Sequence, residues 1–350
     1  MPRIVAVSLA AVAALLAAAS ATATPRIELK SPSVYAIATG TARIPDAVKT
    51  VARPRLSAFW GGATTASDGE TVTVYVSDSY PQDPAVSQRW ADFFTSLIHG
   101  PELGSLTAYL EPLSEVQQQC GSQALACYDP SRSTLYAPGD DPSADLSAEA
   151  VVTHEYGHHV AQHRVNLPWP AVDYGTKRWA TYEQVCARSE DGELHPGAET
   201  QPAYQLNPGE AFAETYRVLN ERHAGIPEFP WQVVSQALYP DDAALALLEQ
   251  DVTSPWQATT LATRTAALSK RVPSRTYTVS TPLDGTFRTI MRAQPGARFT
   301  VAILSSSGAR LASGGSGASI STTVCGQRTL KVRVSRVAGA GSFRLQTSAP

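Results

Sequence analysis

The sequence predicts an α+β domain with a small mixed sheet, followed by a small all-β sandwich domain. Between residues 58 and 270, strand-like runs alternate with longer runs of helical spacing. From Arg275 onward the helical pattern stops, and short alternating runs are separated by Gly, Ser and Pro turns. The charge changes as well: residues 275–350 hold ten basic residues and one acidic residue, although the whole chain has a net charge of −3. We therefore expect an acidic body, 58–270, and a basic β module, 275–350.

The first 57 residues are expected to lie outside both domains. Arg3 precedes an apolar run that ends near Ala19 and is followed by small residues with Ala-x-Ala spacing, which is typical of a secretory signal peptide over residues 1–23. A membrane anchor is the alternative, but such a span needs roughly 18 apolar residues or more. Residues 24–57 are rich in Pro, Ala and Thr and are interpreted as a leader arm or short propeptide. The predicted location is secreted and extracellular, with no membrane anchor.

The elements of the body follow from its periodicity. Alternation of Val and Tyr with polar residues predicts the first strand, and apolar residues at helical spacing predict the first helix. Asp145 or Ser147 can cap a later helix, and Asn207 with Pro208 can open another. The predicted strands are residues 71–80, 106–112 and 133–139, and the main predicted helices are residues 84–100, 148–164 and 174–188, with another beginning at 207–208.

Four of the seven histidines lie between residues 151 and 164, and two of them belong to the motif His154-Glu155-Tyr156-Gly157-His158. Residues four apart share one face of a helix, so both imidazoles can bind one ion while Glu155 flanks it. This HExxH pattern predicts one catalytic Zn²⁺ held by His154 and His158. His159 and His163 point away from that face and are interpreted as ordinary polar positions.

A catalytic zinc ion usually has a third protein ligand. The third His of the metzincin pattern is absent, because position 164 is Arg, and Asp173 is an isolated candidate. Glu210 and Glu214 lie four residues apart on the later helix and are the stronger candidates. Glu210 could instead form a capping box with Asn207, which would leave Glu214 as the ligand.

The two motifs together resemble the gluzincin metallopeptidases, the thermolysin-like clan. In that clan a second helix supplies a ligand Glu, and an acid one turn later orients an active-site His. Carried over by position, Glu210 matches the ligand and Glu214 matches the second acid. The resemblance implies a zincin-like fold for residues 58–270, with the strand at 133–139 on the sheet edge, where an extended peptide can pair with it.

The function predicted from these residues is that of a secreted zinc-dependent endopeptidase acting on a polypeptide substrate. Glu155 would take a proton from the attacking water and pass it to the leaving amine. The oxyanion needs a further donor, for which Tyr204 is preferred, with His195 and His223 in reserve. Two alternatives stay open: a zinc amidase acting on cell-wall peptides, and a non-enzymatic adhesin that binds the wall.

Four cysteines in an exported chain predict disulfides, and three pairings are possible. Cys120 and Cys127 are close enough in sequence to pair, which would leave Cys186 to pair with Cys325.

The basic module resembles the small appended domains of secreted bacterial peptidases. It could bind an anionic cell-wall polymer or dock on the acidic body. Because it lacks aromatic stacking platforms and nucleic-acid motifs, we expect no nucleic-acid partner.

Overall fold

The computed structural model describes residues 58–350. The predicted signal peptide, 1–23, and the predicted leader, 24–57, lie outside the described residues. Among residues 58–350, none of the helices combines the length and apolar character that a membrane span requires.

A five-stranded mixed sheet forms the first layer of the body, with the strand order β1-β2-β3-β5-β4. Strands β2, β3 and β5 run parallel, and β1 and β4 lie antiparallel at the two edges. The strand predicted at the edge, 133–139, is therefore interior. The edge next to it is formed by β4, which has three residues and is too short to show alternation. The strands are β1 (Phe59–Thr65), β2 (Thr71–Ser77), β3 (Thr107–Glu111), β4 (Cys127–Asp129) and β5 (Thr134–Pro138).

Helices cover this sheet and form the rest of the body. They are α1 (Pro84–Ser96), α2 (Leu113–Cys120), α3 (Ala148–Gln162), α4 (Ala171–Tyr174), α5 (Lys177–Tyr182), α6 (Val185–Glu190), α7 (Pro208–Ala224) and α8 (Asp242–Thr253). Helix α3 is buried on every side because it lies between the sheet and α7. Ser147 caps its first turn by accepting a hydrogen bond from the Ala150 amide at 3.1 Å. The two predicted motifs therefore lie on two helices that contact each other.

Two four-stranded antiparallel sheets form the β module, ordered β10-β9-β12-β7 and β11-β8-β13-β6. They share one apolar core, so the predicted all-β sandwich is confirmed in outline. The module begins at Thr260, earlier than the predicted boundary at residue 275, because β6 pairs with β13. The strands are β6 (Thr260–Leu268), β7 (Ser274–Ser280), β8 (Gly285–Ala293), β9 (Arg298–Leu304), β10 (Arg310–Gly315), β11 (Ser319–Val324), β12 (Thr329–Ala338) and β13 (Gly341–Ala349).

Two disulfides form, Cys120–Cys127 within the body and Cys186–Cys325 between the body and the β module. Both pairings agree with the favoured prediction, and they indicate folding in an oxidising compartment. The module also docks through polar contacts, since the Asp284 amide donates to Thr181 Oγ1 at 3.1 Å. Asp284 is the only acid of residues 275–350, and its carboxylate binds Arg328 at 2.8 Å within the module.

The contact between α3 and α7 depends on Gly157. A Cβ at this position would lie 2.8 Å from Ala213 Cα and 3.1 Å from the Ala213 carbonyl oxygen, both of which are backbone atoms of α7. Backbone atoms of a buried helix cannot move aside without shifting the helix. The absence of a side chain at the fourth position of HExxH therefore sets the distance between the two motif-bearing helices.

We predict that Gly157→Ala lowers the free energy of unfolding by about 1–2 kcal/mol, because the overpacking cost exceeds what alanine gains in a helix. Denaturant unfolding measures this change. Gly104→Ala is the matched control, since a Cβ there meets nothing within 4 Å. Equal stability of the two variants would mean that the helices are not held at this distance by Gly157.

Candidate metal centre

Helix α3 places His154 and His158 on one face, with their ring centroids 5.1 Å apart. Glu155 lies beside them and is buried, as both histidines are. Helix α7 meets this face with its first turn, which carries Glu210, and with the next turn, which carries Glu214. The structure thus brings together the five residues that the two sequence motifs singled out.

One oxygen of Glu210 lies against both imidazoles. Its Oε2 atom is 3.2 Å from His154 Nε2 and 3.3 Å from His158 Nε2. His154, His158 and Glu210 each offer one atom that can bind a metal, and these three atoms lie within 4.8 Å of one another. The buried group His154, His158 and Glu210 could therefore hold a metal ion.

Glu214 contacts the other side of the same histidine. Its Oε2 atom lies 3.0 Å from His154 Nδ1, which leaves Nε2 directed toward Glu210.

The alternative assignment of Glu210 to a capping box is not what the structure shows. Asn207 Oδ1 accepts from the Gly209 amide at 2.9 Å, and the Asn207 amide donates to the Tyr204 carbonyl oxygen at 3.0 Å. The carboxylate of Glu210 is free of the cap and faces the histidines.

A buried chain of charges extends from Glu214 along α7. Arg217 donates to both Glu214 oxygens, at 3.0 and 2.7 Å, and to Glu221 at 2.5 Å. Glu221 then accepts from the Phe229 amide at 2.9 Å, and Arg217 donates to the Phe229 carbonyl oxygen at 3.1 Å. The orientation of His154 is therefore fixed through Glu214 to the segment that follows α7.

Burial and the short distances between charged groups shift the pKa values of the residues around His154. Burial raises the pKa of Glu155, and the nearby histidines only partly oppose that effect. Burial also acts on Glu210, but His158 and His154 outweigh it and lower the pKa of Glu210. For His154, burial lowers the pKa, whereas hydrogen bonds to Glu210 and Glu214 raise it by more. At His154, therefore, the surrounding carboxylates favour a positive charge.

Two cavities open on either side of Glu155. One, of about 100 Å³, is lined by Glu155, His158 and Glu210 together with residues of β4 and the segment before α7. The other, of about 370 Å³, is lined by His154, Glu155 and Glu214 and by the segment after α7. Glu155 is thus the residue that the two cavities share.

Tyr204 lies in the site, but its contact differs from the predicted one. It is buried, and its hydroxyl donates to Glu210 Oε2 at 2.8 Å, so in this structure it supports the carboxylate. Asp173 lines the smaller cavity without belonging to the ligand group. Neither His195 nor His223 lines either cavity.

His159 is a residue whose role the sequence did not reveal. It is fully buried, not an ordinary polar position, and its Nδ1 lies 2.9 Å from the Tyr128 hydroxyl. Its Nε2 lies 2.9 Å from the Glu102 carbonyl oxygen, and burial lowers the pKa of His159 to about 4. A neutral His159 that donates to Glu102 and accepts from Tyr128 therefore connects the edge strand β4 to α3.

Comparison with known proteins identifies no relative that could assign the site. No family model matches the sequence, and no curated protein matches it. The crystal structure of Yersinia pseudotuberculosis-derived mitogen is similar at 8% identity and a TM-score of 0.23, over 26% of this chain and 87% of the mitogen. A TM-score of this size carries no argument about fold or function.

We predict that Glu210→Gln abolishes stoichiometric metal binding, because it removes a ligand charge. Glu214→Gln should keep the metal with an affinity about 10- to 100-fold lower, as is typical when a partner of a ligand histidine is lost. Metal analysis after dialysis against graded chelator distinguishes the two. Glu199→Gln, which removes a carboxylate from the same cavity outside the ligand group, should bind metal normally. Normal binding in Glu210→Gln would contradict the assignment.

Proposed function

We propose that His154, His158 and Glu210 bind one zinc ion and that the protein is a secreted, zincin-like endopeptidase. Two imidazoles and one carboxylate are a donor set of catalytic zinc sites. Tetrahedral zinc with bonds of 2.0–2.1 Å separates its ligand atoms by about 3.4 Å. The spacings of 3.2 and 3.3 Å between Glu210 and the two histidines fit that geometry.

The chemistry follows from the placement of Glu155. Zinc supplies Lewis acidity, which polarises a carbonyl group and lowers the pKa of water. Glu155 is next to the ligand histidines but outside the ligand group, and it faces both cavities. Its raised pKa suits a group that accepts a proton from water and returns it to the leaving amine. Tyr204 holds the Glu210 oxygen in place throughout.

The single observation that carries the proposal of an endopeptidase is the pair of cavities on both sides of Glu155. An enzyme that removes terminal residues needs one closed side, whereas an internal bond needs chain on both sides. The smaller cavity is also lined by Cys127 and Tyr128 of the edge strand β4. Within residues 58–350 this strand pairs only with β5, and we propose that an extended peptide pairs with its outer edge.

We predict that Glu155→Gln reduces peptide hydrolysis by at least 10²-fold, the contribution typical of a general base, while zinc content stays at the wild-type level. The measurement is cleavage of casein and of a quenched peptide library, with metal analysis of the same samples. Wild-type protein that carries zinc and cleaves no peptide would favour the adhesin. Activity confined to peptidoglycan fragments would favour the zinc amidase.

A further inference from the structure

The sheet β11-β8-β13-β6 presents arginines on its outer face. Along β8, Phe287 and Met291 are buried in the module core, while Arg288 and Arg292 alternate with them and are exposed. Along β13, Arg344 is exposed in the same way. Successive side chains of a strand point to opposite faces, so all three arginines lie on the face turned away from the core.

Arg292 and Arg344 are direct cross-strand partners. Like charges placed opposite each other destabilise a sheet. Within residues 58–350, none of the three arginines of this face has an acidic partner within ion-pair distance. Folding alone gives no reason to place two unpaired guanidinium groups side by side, whereas binding an anion does.

The rest of this face is uncharged. It includes the apolar residues Ile290 and Leu261 and the polar residues Ser319, Ser321, Gln346, Ser348, Thr263 and Thr265. Their hydroxyl and amide groups can donate hydrogen bonds to oxyanions, and arginine binds phosphate oxygens in a bidentate manner. With a rise of about 3.4 Å per residue, Arg288 and Arg292 lie about 14 Å apart along β8, which suits repeated charges on a chain better than one small ion.

We propose that this outer face, the arginine face, binds a linear polyol-phosphate polymer of the cell surface. Charge complementarity supports this occupant, because the arginine face has no acidic residue and the single acid of residues 275–350, Asp284, binds Arg328. This sheet face offers neither a helix that could enter a DNA groove nor an aromatic platform. The proposal is independent of the hydrolytic function, since the arginine face lies on the other domain.

The test uses the full secreted protein and purified poly(glycerol phosphate) immobilised on a sensor surface. The double variant Arg292→Gln, Arg344→Gln should bind at least tenfold more weakly, and the slope of log Kd against log salt concentration should fall by about two. The matched control is Arg298→Gln, Arg310→Gln, which removes two exposed arginines from the other sheet. Its affinity should change by less than about threefold on the same salt series.

A structural role is tested by Arg344→Gln alone. If Arg292 and Arg344 are paired for binding and not for stability, removing one charge relieves their repulsion and raises the midpoint of thermal unfolding at low salt. A clear fall of this midpoint would overturn the proposal. Equal loss of binding in both double variants would also overturn it, because net charge alone would then explain the affinity. Tighter binding to double-stranded DNA or to a sulfated glycan of equal charge would assign the arginine face to another occupant.

Discussion

Helices α3 and α7 approach each other closely because position 157 has no side chain to separate them. The first turn of α7 consequently lies beside the HExxH face, and Glu210 reaches both histidines with a single oxygen. A carboxylate side chain is too short to bridge a wider gap. The ligand group, the contact of Glu214 with His154 and the two cavities around Glu155 all depend on this one helix contact.

The same contact concentrates negative charge in the interior. Glu155, Glu210 and Glu214 are all buried there, and so is Glu221 at the far end of the chain of ion pairs. Arg217 is the guanidinium that neutralises part of this charge, through Glu214 and Glu221. Buried carboxylates are costly unless they are paired, so the excess around the histidines creates a demand for a divalent cation. The proposed metal binding and the stability of the body would thus depend on the same electrostatic balance.

Sequence reasoning was most successful where the placement of side chains depends on helical spacing. The four-residue intervals 154–158 and 210–214 placed the side chains on the correct faces, because helix geometry is regular. The edge strand β4 was missed because three residues show no period, and β6 was missed because nearly all of its residues are exposed and no alternation marks a buried side. Only tertiary packing could show that His159 is buried against Tyr128 or that the Tyr204 hydroxyl bonds Glu210.

The disulfide Cys186–Cys325 spans 139 residues and closes a covalent ring that contains all of α7 and the connection between the two domains. That connection, residues 254–259 between α8 and β6, is a segment without helix or strand. A single cut within it would give a two-chain molecule whose halves remain joined, and only a reductant would part them. The protein would therefore keep its β module after being cut there once by a protease.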